Sequence, residues 1–287
     1  MHGLMRLCRF RRAPWAAAAL ALGLCGLAAR VQAQGLGAGA ELVDPDHFRV
    51  CADPRNLPFS NEQGQGFENK IAELLAGKLH RPVEYTYFPQ VIGFFRVTLN
   101  ADRCDVVMGV GVGTDMVQTT SPYYHTIYAL VYPTKSDLAG VTTIEDPRLK
   151  DKRIGVVART PTATLLARDG LMDKAKPYPL TVDTRVDAPA KTMMEDIAAG
   201  RIDAGVLWGP IAGYYALHSP VKMTVVPLFK ETGDRMDFAI AMGVRRSDRA
   251  WKRTLDRLIA DNQGAINKIL TDYGVPLLDA QGKPLKP

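Results

Sequence analysis

Two aspartates occupy positions at which acid–base chemistry is possible. Asp53 ends a short apolar run that begins at Phe48, and Asp105 begins a second run that ends at Val110. Paired carboxylates act as general acid and general base when their surroundings move their pKa values apart. The sequence offers no neighbour that would raise either pKa, and aspartates at strand ends are commonly caps or turn formers. The pair alone therefore does not predict an enzyme.

Other catalytic patterns are absent from the sequence. The histidines that follow residue 33 are His47, His80, His125 and His218, and none is spaced as a metal-binding pair on one helix. There is no G-x-S-x-G, H-E-x-x-H or P-loop motif. The glycine-rich segment 109–113 lacks the G-x-G-x-x-G spacing and the long helix that a dinucleotide site needs. We therefore predict that the protein is not an enzyme and has no metal or cofactor.

Arg159 is a candidate for carboxylate recognition. It precedes Thr160-Pro161-Thr162, which has the composition of a helix start. A guanidinium beside the N-terminus of a helix can hold an anionic group. The alternative is a solvated arginine at the rim of a cleft, because most arginines stay exposed.

The first 33 residues have the pattern of a secretory signal peptide. Arginines are frequent in the first twelve residues, an apolar stretch runs from Trp15 to Ala29, and Val31-Gln32-Ala33 is an A-x-A-like cleavage site. The apolar stretch is short for a membrane span, although an uncleaved anchor is the alternative. We expect a periplasmic protein with no membrane span after processing.

Removal of this leader changes the charge and cysteine content. The chain has 36 basic and 30 acidic residues, and five arginines but no acidic residue lie in the leader, which leaves 31 basic and 30 acidic residues. This balance gives no argument for nucleic-acid binding. Cys51 and Cys104 remain, each beside a predicted strand. An oxidising compartment favours one disulfide between them, and two buried free thiols are the alternative.

The elements that must position these residues follow a repeated order. A strand–helix–strand–helix–strand series runs from Arg49–Asp53 to Asp105–Val110, and a second runs from Arg153–Ala158 to Asp203–Leu207. Short loops in this order predict parallel sheets with right-handed crossovers. An apolar run, Thr126–Tyr132, and a polar return segment, 230–237, would connect the two series.

This pattern predicts an α/β protein of two lobes joined by two hinge crossings. The predicted first lobe comprises residues 34–133 with 236–287, and the second comprises residues 134–235. A single doubly wound sheet is the alternative. Within the lobes we also predict a helix that begins at Pro89 and buries Ile92, and a weak strand at Pro179–Asp183.

Several segments resemble the extracellular solute-binding proteins of the periplasm, and the resemblance covers roughly residues 46 to 278. Their first strand is followed by x-x-P-F and G-F-[DE], which are Leu57-Pro58-Phe59 and Gly66-Phe67-Glu68 here. Ser121-Pro122-Tyr123-Tyr124 resembles their S-x-P-Y-Y turn, and Gly200-Arg201-Ile202-Asp203-Ala204 their G-[KR]-[VI]-D-A strand. The resemblance implies a type II venus-flytrap fold.

The chain departs from the amino-acid binders of that family. Those proteins carry an arginine before the S-x-P-Y turn for the ligand carboxylate, whereas residues 111–118 contain neither Arg nor Lys here. They also carry an aspartate for the ligand ammonium where this chain has Trp208. A zwitterion in such a cleft would leave its charges poorly paired, at a cost of about several kcal/mol.

One subfamily of the same proteins, associated with quinoprotein dehydrogenases, is similar throughout the chain. The similarity lies in Arg49-Val50-Cys51-Ala52-Asp53-Pro54, in Cys104-Asp105-Val106-Val107-Met108-Gly109 and in Tyr273-Gly274-Val275-Pro276-Leu277. It implies a PQQ-dependent methanol or alcohol dehydrogenase subunit, and possibly its cytochrome c, as partners. The function implied is help in assembling or activating that dehydrogenase.

We expect a set of residues to line the cleft between the lobes, with no catalytic residue among them. They are Asp53, Asn56, Phe59, Met108, Tyr123, Tyr124, Arg159, Thr160 and Trp208. Aromatic rings and methionine would make a large, mostly apolar groove, suited to a peptide segment or a flat ligand.

Two other functions remain open from the sequence. A substrate-binding protein of an ABC transporter would bind a small solute that is not an amino acid. A dehydratase-like enzyme on the same fold would need a carboxylate or histidine base in the cleft, and the sequence offers no convincing one.

Overall fold

The computed structural model describes residues 41–285, so the predicted signal peptide, residues 1–33, lies outside the described part of the chain. Within residues 41–285, no helix combines the length and the apolar character that crossing a membrane requires. The described chain folds into two α/β lobes, as predicted, whose strands join one continuous path of hydrogen-bonded neighbours.

The first lobe contains a mixed sheet. Its strands are β1 Phe48–Ala52, β4 Val83–Tyr87, β5 Val106–Gly111, β6 Gln118–Thr119, the first part of β7 Tyr124–Pro133, β12 Asp237–Val244 and β13 Leu277–Leu278. A separate hairpin is formed by β2 Arg55–Asn56 and β3 Ser60–Asn61. β1 is parallel to β4 and to β5, whereas β12 is antiparallel to β5. The predicted parallel βαβ arrangement is therefore confirmed for β1, β4 and β5.

The second lobe is built on the far end of β7. Its other strands are β8 Ile154–Val157, β9 Lys176–Tyr178, β10 Ala204–Trp208 and β11 Met223–Pro227. Residues 124–127 of β7 pair with β12, whereas residues 128–131 pair with β10. The return segment contacts β7 at this point between the lobes, because the backbone N–H of Tyr128 donates to Met236 O at 3.1 Å. The chain thus crosses between the lobes twice, side by side. The exact lobe bounds given above stay a prediction.

Helices cover the sheets of both lobes. They are α1 Phe67–Lys78, α2 Phe94–Val97, α3 Pro161–Arg168, α4 Pro189–Ala198, α5 Gly209–Leu217 and α6 Arg249–Asp272, with 3₁₀ turns at Leu99–Ala101 and Pro147–Leu149. α1 and α6 close the main core of the first lobe, in which Phe48, Ile71 and Leu255 are fully buried. In the second lobe, Leu165 and Met193 belong to two separate core clusters.

The cysteines form the predicted disulfide. Cys51 and Cys104 are bonded, with their Cα atoms 5.5 Å apart, and the bridge joins the end of β1 to the residue two before β5. Because side chains alternate along β1, Val50 faces the main core while Cys51 lies in a smaller cluster with Phe94.

Asp105 serves the structure of the first lobe. Its carboxylate is buried, receives two hydrogen bonds from Arg49 at 2.8 and 2.7 Å, and pairs with buried Arg245 at 2.6 Å. Arg245 is also 2.7 Å from the carboxylate of Asp248. This buried network connects β1, β5 and the start of α6. Both carboxylate oxygens of Asp105 are bonded to arginines, so neither is free to act as an acid or a base.

Two predicted elements are wrong. The helix expected from Pro89 is reduced to α2, and Ile92, expected to be buried, is 96% exposed. The N–H of Gln90 donates to the Asp53 carboxylate at 2.8 Å, and Thr98 leaves helical geometry (φ −117°, ψ −88°). The strand expected at Pro179–Asp183 lies earlier, at β9, whose last residue, Tyr178, accepts the N–H of Ala158 at 2.9 Å.

Candidate functional site

A cavity of about 470 Å³ lies between the two lobes. Its walls are mostly apolar and come from both sides. The first lobe contributes Asn56, Leu57, Phe59, Gln90, Phe238 and Ile240; the second contributes Val157, Thr160, Leu180, Thr184, Leu207, Trp208, Ile211 and Tyr215; Tyr128 lies at the crossing. This size is typical of small-molecule sites, which span roughly 300–1,000 Å³.

Three aromatic rings form what we call the aromatic floor: Tyr128, Trp208 and Phe238. The centroids of Tyr128 and Trp208 are 4.9 Å apart, those of Trp208 and Phe238 5.7 Å, and those of Tyr128 and Phe238 6.2 Å, all in edge-to-face geometry. Tyr128 and Phe238 belong to the two crossing strands, and Trp208 ends β10. The aromatic floor therefore lies at the hinge and joins the lobes.

Asp53 connects the two lobes at the edge of the cavity. Its fully buried carboxylate accepts the backbone N–H groups of Arg55 and Gln90 at 2.9 and 2.8 Å, and the Thr184 hydroxyl at 2.7 Å. Thr184 belongs to the second lobe. Two further hydrogen bonds cross the cleft: Arg55 Nη1 donates to Arg185 O at 2.6 Å, and Tyr215 Oη donates to Leu57 O at 3.3 Å. The cleft is therefore closed.

The structure brings some of the predicted cleft residues together. Asn56, Phe59, Thr160 and Trp208 line the cavity, and Asp53 is hydrogen-bonded beside it. The Thr160 hydroxyl donates to Val157 O at 2.7 Å and thereby fixes the turn before α3.

Other predicted cleft residues lie elsewhere. Met108, Tyr123 and Tyr124 are buried in the core of the first lobe, where the Tyr123 hydroxyl accepts the N–H of Gly109 at 3.0 Å. Arg159 is exposed, has a left-handed backbone (φ 62°) and does not line the cavity. Its role in binding a carboxylate stays a prediction from sequence.

Glu68 is a buried carboxyl group close to this region. Burial raises its pKa to about 8, and the negative charge of Asp53 acts in the same direction. The group makes no ion pair within residues 41–285. A side chain at Gly109 would not fit beside it, because a Cβ there would lie 2.2 Å from Glu68 Oε1. Glu68 is therefore protonated at neutral pH and fills the space beneath Gly109.

The charged side chains around the cavity are exposed and already engaged. Arg55 donates to a backbone carbonyl as described above, Lys191 pairs with Glu195, and the Asp187 carboxylate accepts the N–H of Ala188 at 2.8 Å. None of residues 111–118 lines the cavity. The cavity thus lacks the two groups expected of an amino-acid binder, since residues 111–118 supply no arginine and Trp208 stands at the position of the aspartate.

Several cavity residues were not predicted from the sequence. Tyr128 and Phe238 were placed in strands but not in the cleft, and Gln90 and Thr184 were not considered. An aromatic residue in each crossing segment is a signal that could have identified the first two. The loops that carry Gln90 and Thr184 have no such signal.

Three carboxyl groups of the second lobe, away from the cavity, lie close together. Oxygens of Glu145, Asp169 and Glu231 are within 4.8 Å of one another. Asp169 pairs with Arg168, and Glu231 accepts hydrogen bonds from the Thr143 hydroxyl and the N–H of Ile144. Protein groups therefore already use part of this cluster.

Comparison with known proteins identifies relatives over nearly the whole chain. Protein MoxJ of Methylorubrum extorquens is 32% identical over 277 residues, which cover 89% of this chain and 91% of that protein. The periplasmic binding protein XoxJ from Methylobacterium extorquens AM1 has a crystal structure with 37% identity and a TM-score of 0.70, covering 81% of this chain and 99% of that one. No protein-family model matches the chain.

Two further structures have the same architecture. MxaJ from Methlophaga aminisulfidivorans MPT is 26% identical with a TM-score of 0.70, covering 80% of this chain and all of that one. An ancestral amino-acid-binding protein, described as a precursor of cyclohexadienyl dehydratase, is 21% identical with a TM-score of 0.57; it covers 79% of this chain and 95% of its own. At that identity it shows the fold alone. The predicted two-lobed fold of the periplasmic binding proteins is confirmed.

Proposed function

The chain belongs to the family of the MoxJ and XoxJ periplasmic binding proteins, and from this premise we propose that it is an accessory protein of methanol oxidation. It works in the periplasm after removal of its signal peptide. There it assists the assembly or activation of a PQQ-dependent methanol or alcohol dehydrogenase. It does so as a binding protein and not as an enzyme.

One observation carries this proposal beyond family membership. The cleft has the two hinge crossings of a solute receptor, and by resemblance the chain lacks the arginine and aspartate that hold an amino acid. By resemblance, Trp208 stands where the aspartate for the ligand ammonium is expected, and its ring belongs to the aromatic floor. A receptor for amino-acid uptake would leave both ligand charges poorly paired here, at a cost of about several kcal/mol.

A second function is favoured by the cavity itself. A closed cleft of about 470 Å³ with two hinge crossings is suited to enclosing a small solute. The alternative is therefore a substrate-binding protein of an ABC transporter whose solute is not an amino acid.

Affinity capture from the native host distinguishes the two functions. The processed protein, tagged at its C-terminus, is purified gently from the periplasm and examined by native mass spectrometry. The accessory role predicts a complex whose mass includes a quinoprotein subunit. A protomer that carries a small molecule, with no protein partner, would support the transport role instead.

A gene deletion adds a functional readout. The accessory role predicts that the dehydrogenase polypeptide is still exported but has much less activity, which the intact gene restores. Lys268→Ala is a suitable control variant, because Lys268 is exposed on α6 and pairs only with Asp272 among the described residues. Normal dehydrogenase activity in the deletion strain would reject the accessory role.

A further inference from the structure

The aromatic floor contains two hydrogen-bond donors that no described residue uses. Within residues 41–285, neither the Tyr128 hydroxyl nor the indole N–H of Trp208 has a hydrogen-bond partner. Two other buried rings do have partners: Trp251 Nε1 donates to Asp105 O at 3.1 Å, and the Tyr132 hydroxyl donates to Val141 O at 3.0 Å. Burial raises the pKa of Tyr128 to about 12, so its hydroxyl keeps its proton. Both groups are available to a ligand that accepts hydrogen bonds.

The other polar groups of the cavity are neutral or occupied. The side-chain amides of Asn56 and Gln90 bond to each other at 3.3 Å, and the Thr160 hydroxyl bonds to its own turn. The three charged side chains of the rim are engaged as described above. The charged side chains that line the cavity, Arg55, Asp187 and Lys191, are exposed at its rim, where water screens them, so they compensate little for the desolvation of a charge buried against the aromatic floor.

The rings of the floor determine the shape of ligand that binds best. Aromatic side chains favour flat rings, because offset or edge-to-face contacts add to the effect of buried area. A peptide segment suits the cavity less well, since each residue brings an N–H and a C=O that need partners. A chain would also have to pass the three hydrogen bonds that cross the cleft.

We propose that the cavity binds one uncharged ring compound whose carbonyl or ether oxygens accept hydrogen bonds from Tyr128 and Trp208. The inference rests on the proposed function only in that it takes the cleft to be the working site. It names the ligand class of that site, which the similarity to other proteins leaves open.

Calorimetric titration of the purified, processed protein tests the proposal with defined probes. Coumarin is neutral and flat and carries a carbonyl and a ring oxygen, whereas coumarin-3-carboxylate adds one negative charge. We expect coumarin to bind with a dissociation constant below about 1 mM, consistent with a ligand of its size. The carboxylate should bind at least roughly tenfold more weakly, because its charge must be desolvated against apolar and aromatic walls.

Two conservative variants test the donors separately. Tyr128→Phe and Trp208→Phe each keep a ring and remove one donor. Each should weaken coumarin binding about three- to tenfold, the effect of one neutral hydrogen bond. Tyr214→Phe is the matched control, because Tyr214 lies outside the cavity lining and stacks on Tyr273. It should leave the affinity unchanged. Thermal unfolding monitored by circular dichroism verifies that each variant is folded.

Three outcomes would overturn the proposal. Coumarin could fail to bind, the carboxylate could bind as tightly, or the capped peptide acetyl-Gly-Phe-Gly-amide could bind more tightly than coumarin. None of these measurements involves the dehydrogenase. If coumarin does not bind as expected, the proposed accessory role can still be tested by the capture and deletion experiments. If those experiments reject the accessory role, the titrations still test the ligand class.

Discussion

The carboxyl group of Glu68 has a raised pKa because of where α1 begins. The first turn of the helix places its carboxyl group in the core of the first lobe, near Asp53 and beneath Gly109. Its pKa is raised to about 8, so the folded protein holds a proton that the unfolded chain releases above its ordinary pKa near 4.5. The stability from this proton is complete at low pH and is lost as the pH rises towards 8.

The variant Glu68→Gln should remove this pH dependence. Between about pH 5 and 8 the wild type should lose up to about 1.4 kcal/mol of unfolding free energy per pH unit through this group, whereas glutamine does not titrate. The variant's stability relative to wild type should therefore increase steadily with pH in urea unfolding. Glu73→Gln, on the exposed side of the same helix, is the control. A constant difference between variant and wild type would show that Glu68 is ionised in the folded protein.

At the scale of single residues, a cavity residue could be predicted from the sequence when its place relative to a strand end depends only on nearby residues. Asn56 and Phe59 lie in the β2–β3 hairpin that directly follows β1, and Trp208 ends β10, so their places beyond the carboxyl ends of core strands could be predicted. Tyr128 and Phe238 meet only because β7 and β12 pair in one particular register. That register is a property of the folded sheet and has no local signal.

At the scale of elements, α5 depends on a close approach to the turn that follows α6. A Cβ at Gly213 would lie 1.8 Å from Gly274 O. Gly213→Ala should therefore displace one of the two backbones and lower the unfolding free energy by about 1–3 kcal/mol. Urea unfolding of variant and wild type measures the change.

Gly264→Ala is the matched control for this prediction. Gly264 lies within α6, and a Cβ there meets nothing within 4 Å. Alanine should stabilise the helix by about 0.5–1 kcal/mol, so the two substitutions have opposite signs. A stable Gly213→Ala protein would mean that α5 can move away from the turn without loss.

Elements with strong periodicity were predicted well, and short elements were not. The strands β1 and β5 each differ by one residue from the predicted bounds Arg49–Asp53 and Asp105–Val110. The segment after Pro89 has helical spacing, but the hydrogen bond from Gln90 to Asp53 takes its first N–H. A long-range polar contact of this kind overrides a local pattern and leaves no trace in the sequence.

At the scale of the whole molecule, the disulfide links distant parts of the first lobe. Cys51 and Cys104 are 53 residues apart, and a bridge that closes such a loop restricts the unfolded chain. Replacing both cysteines by serine should lower the unfolding free energy by about 2–4 kcal/mol. Wild type measured after reduction should match the double variant. Equal stability of oxidised wild type and double variant would contradict the prediction.

The two lobes and their crossings could be predicted because the order of elements repeats along the chain. Closure could not, because it depends on contacts between loops of different lobes, such as Thr184 with Asp53 and Arg55 with Arg185. These residues are far apart in sequence and carry no shared motif. The closed cleft is therefore a finding of the structure alone.

The hydrogen bond from Thr184 to Asp53 should control how often the cleft is open. Its acceptor is a buried carboxylate, and such bonds contribute about 1.5–3 kcal/mol. Thr184→Val keeps the shape of the side chain but removes the donor, which should shift the equilibrium towards the open form about 10- to 100-fold. Small-angle X-ray scattering should then show a larger radius of gyration than for wild type. Thr192→Val, which loses only a hydroxyl bonded within α4, is the control. If Thr184→Val scatters as wild type does, the contacts of Arg55 and Tyr215 are sufficient to hold the lobes together.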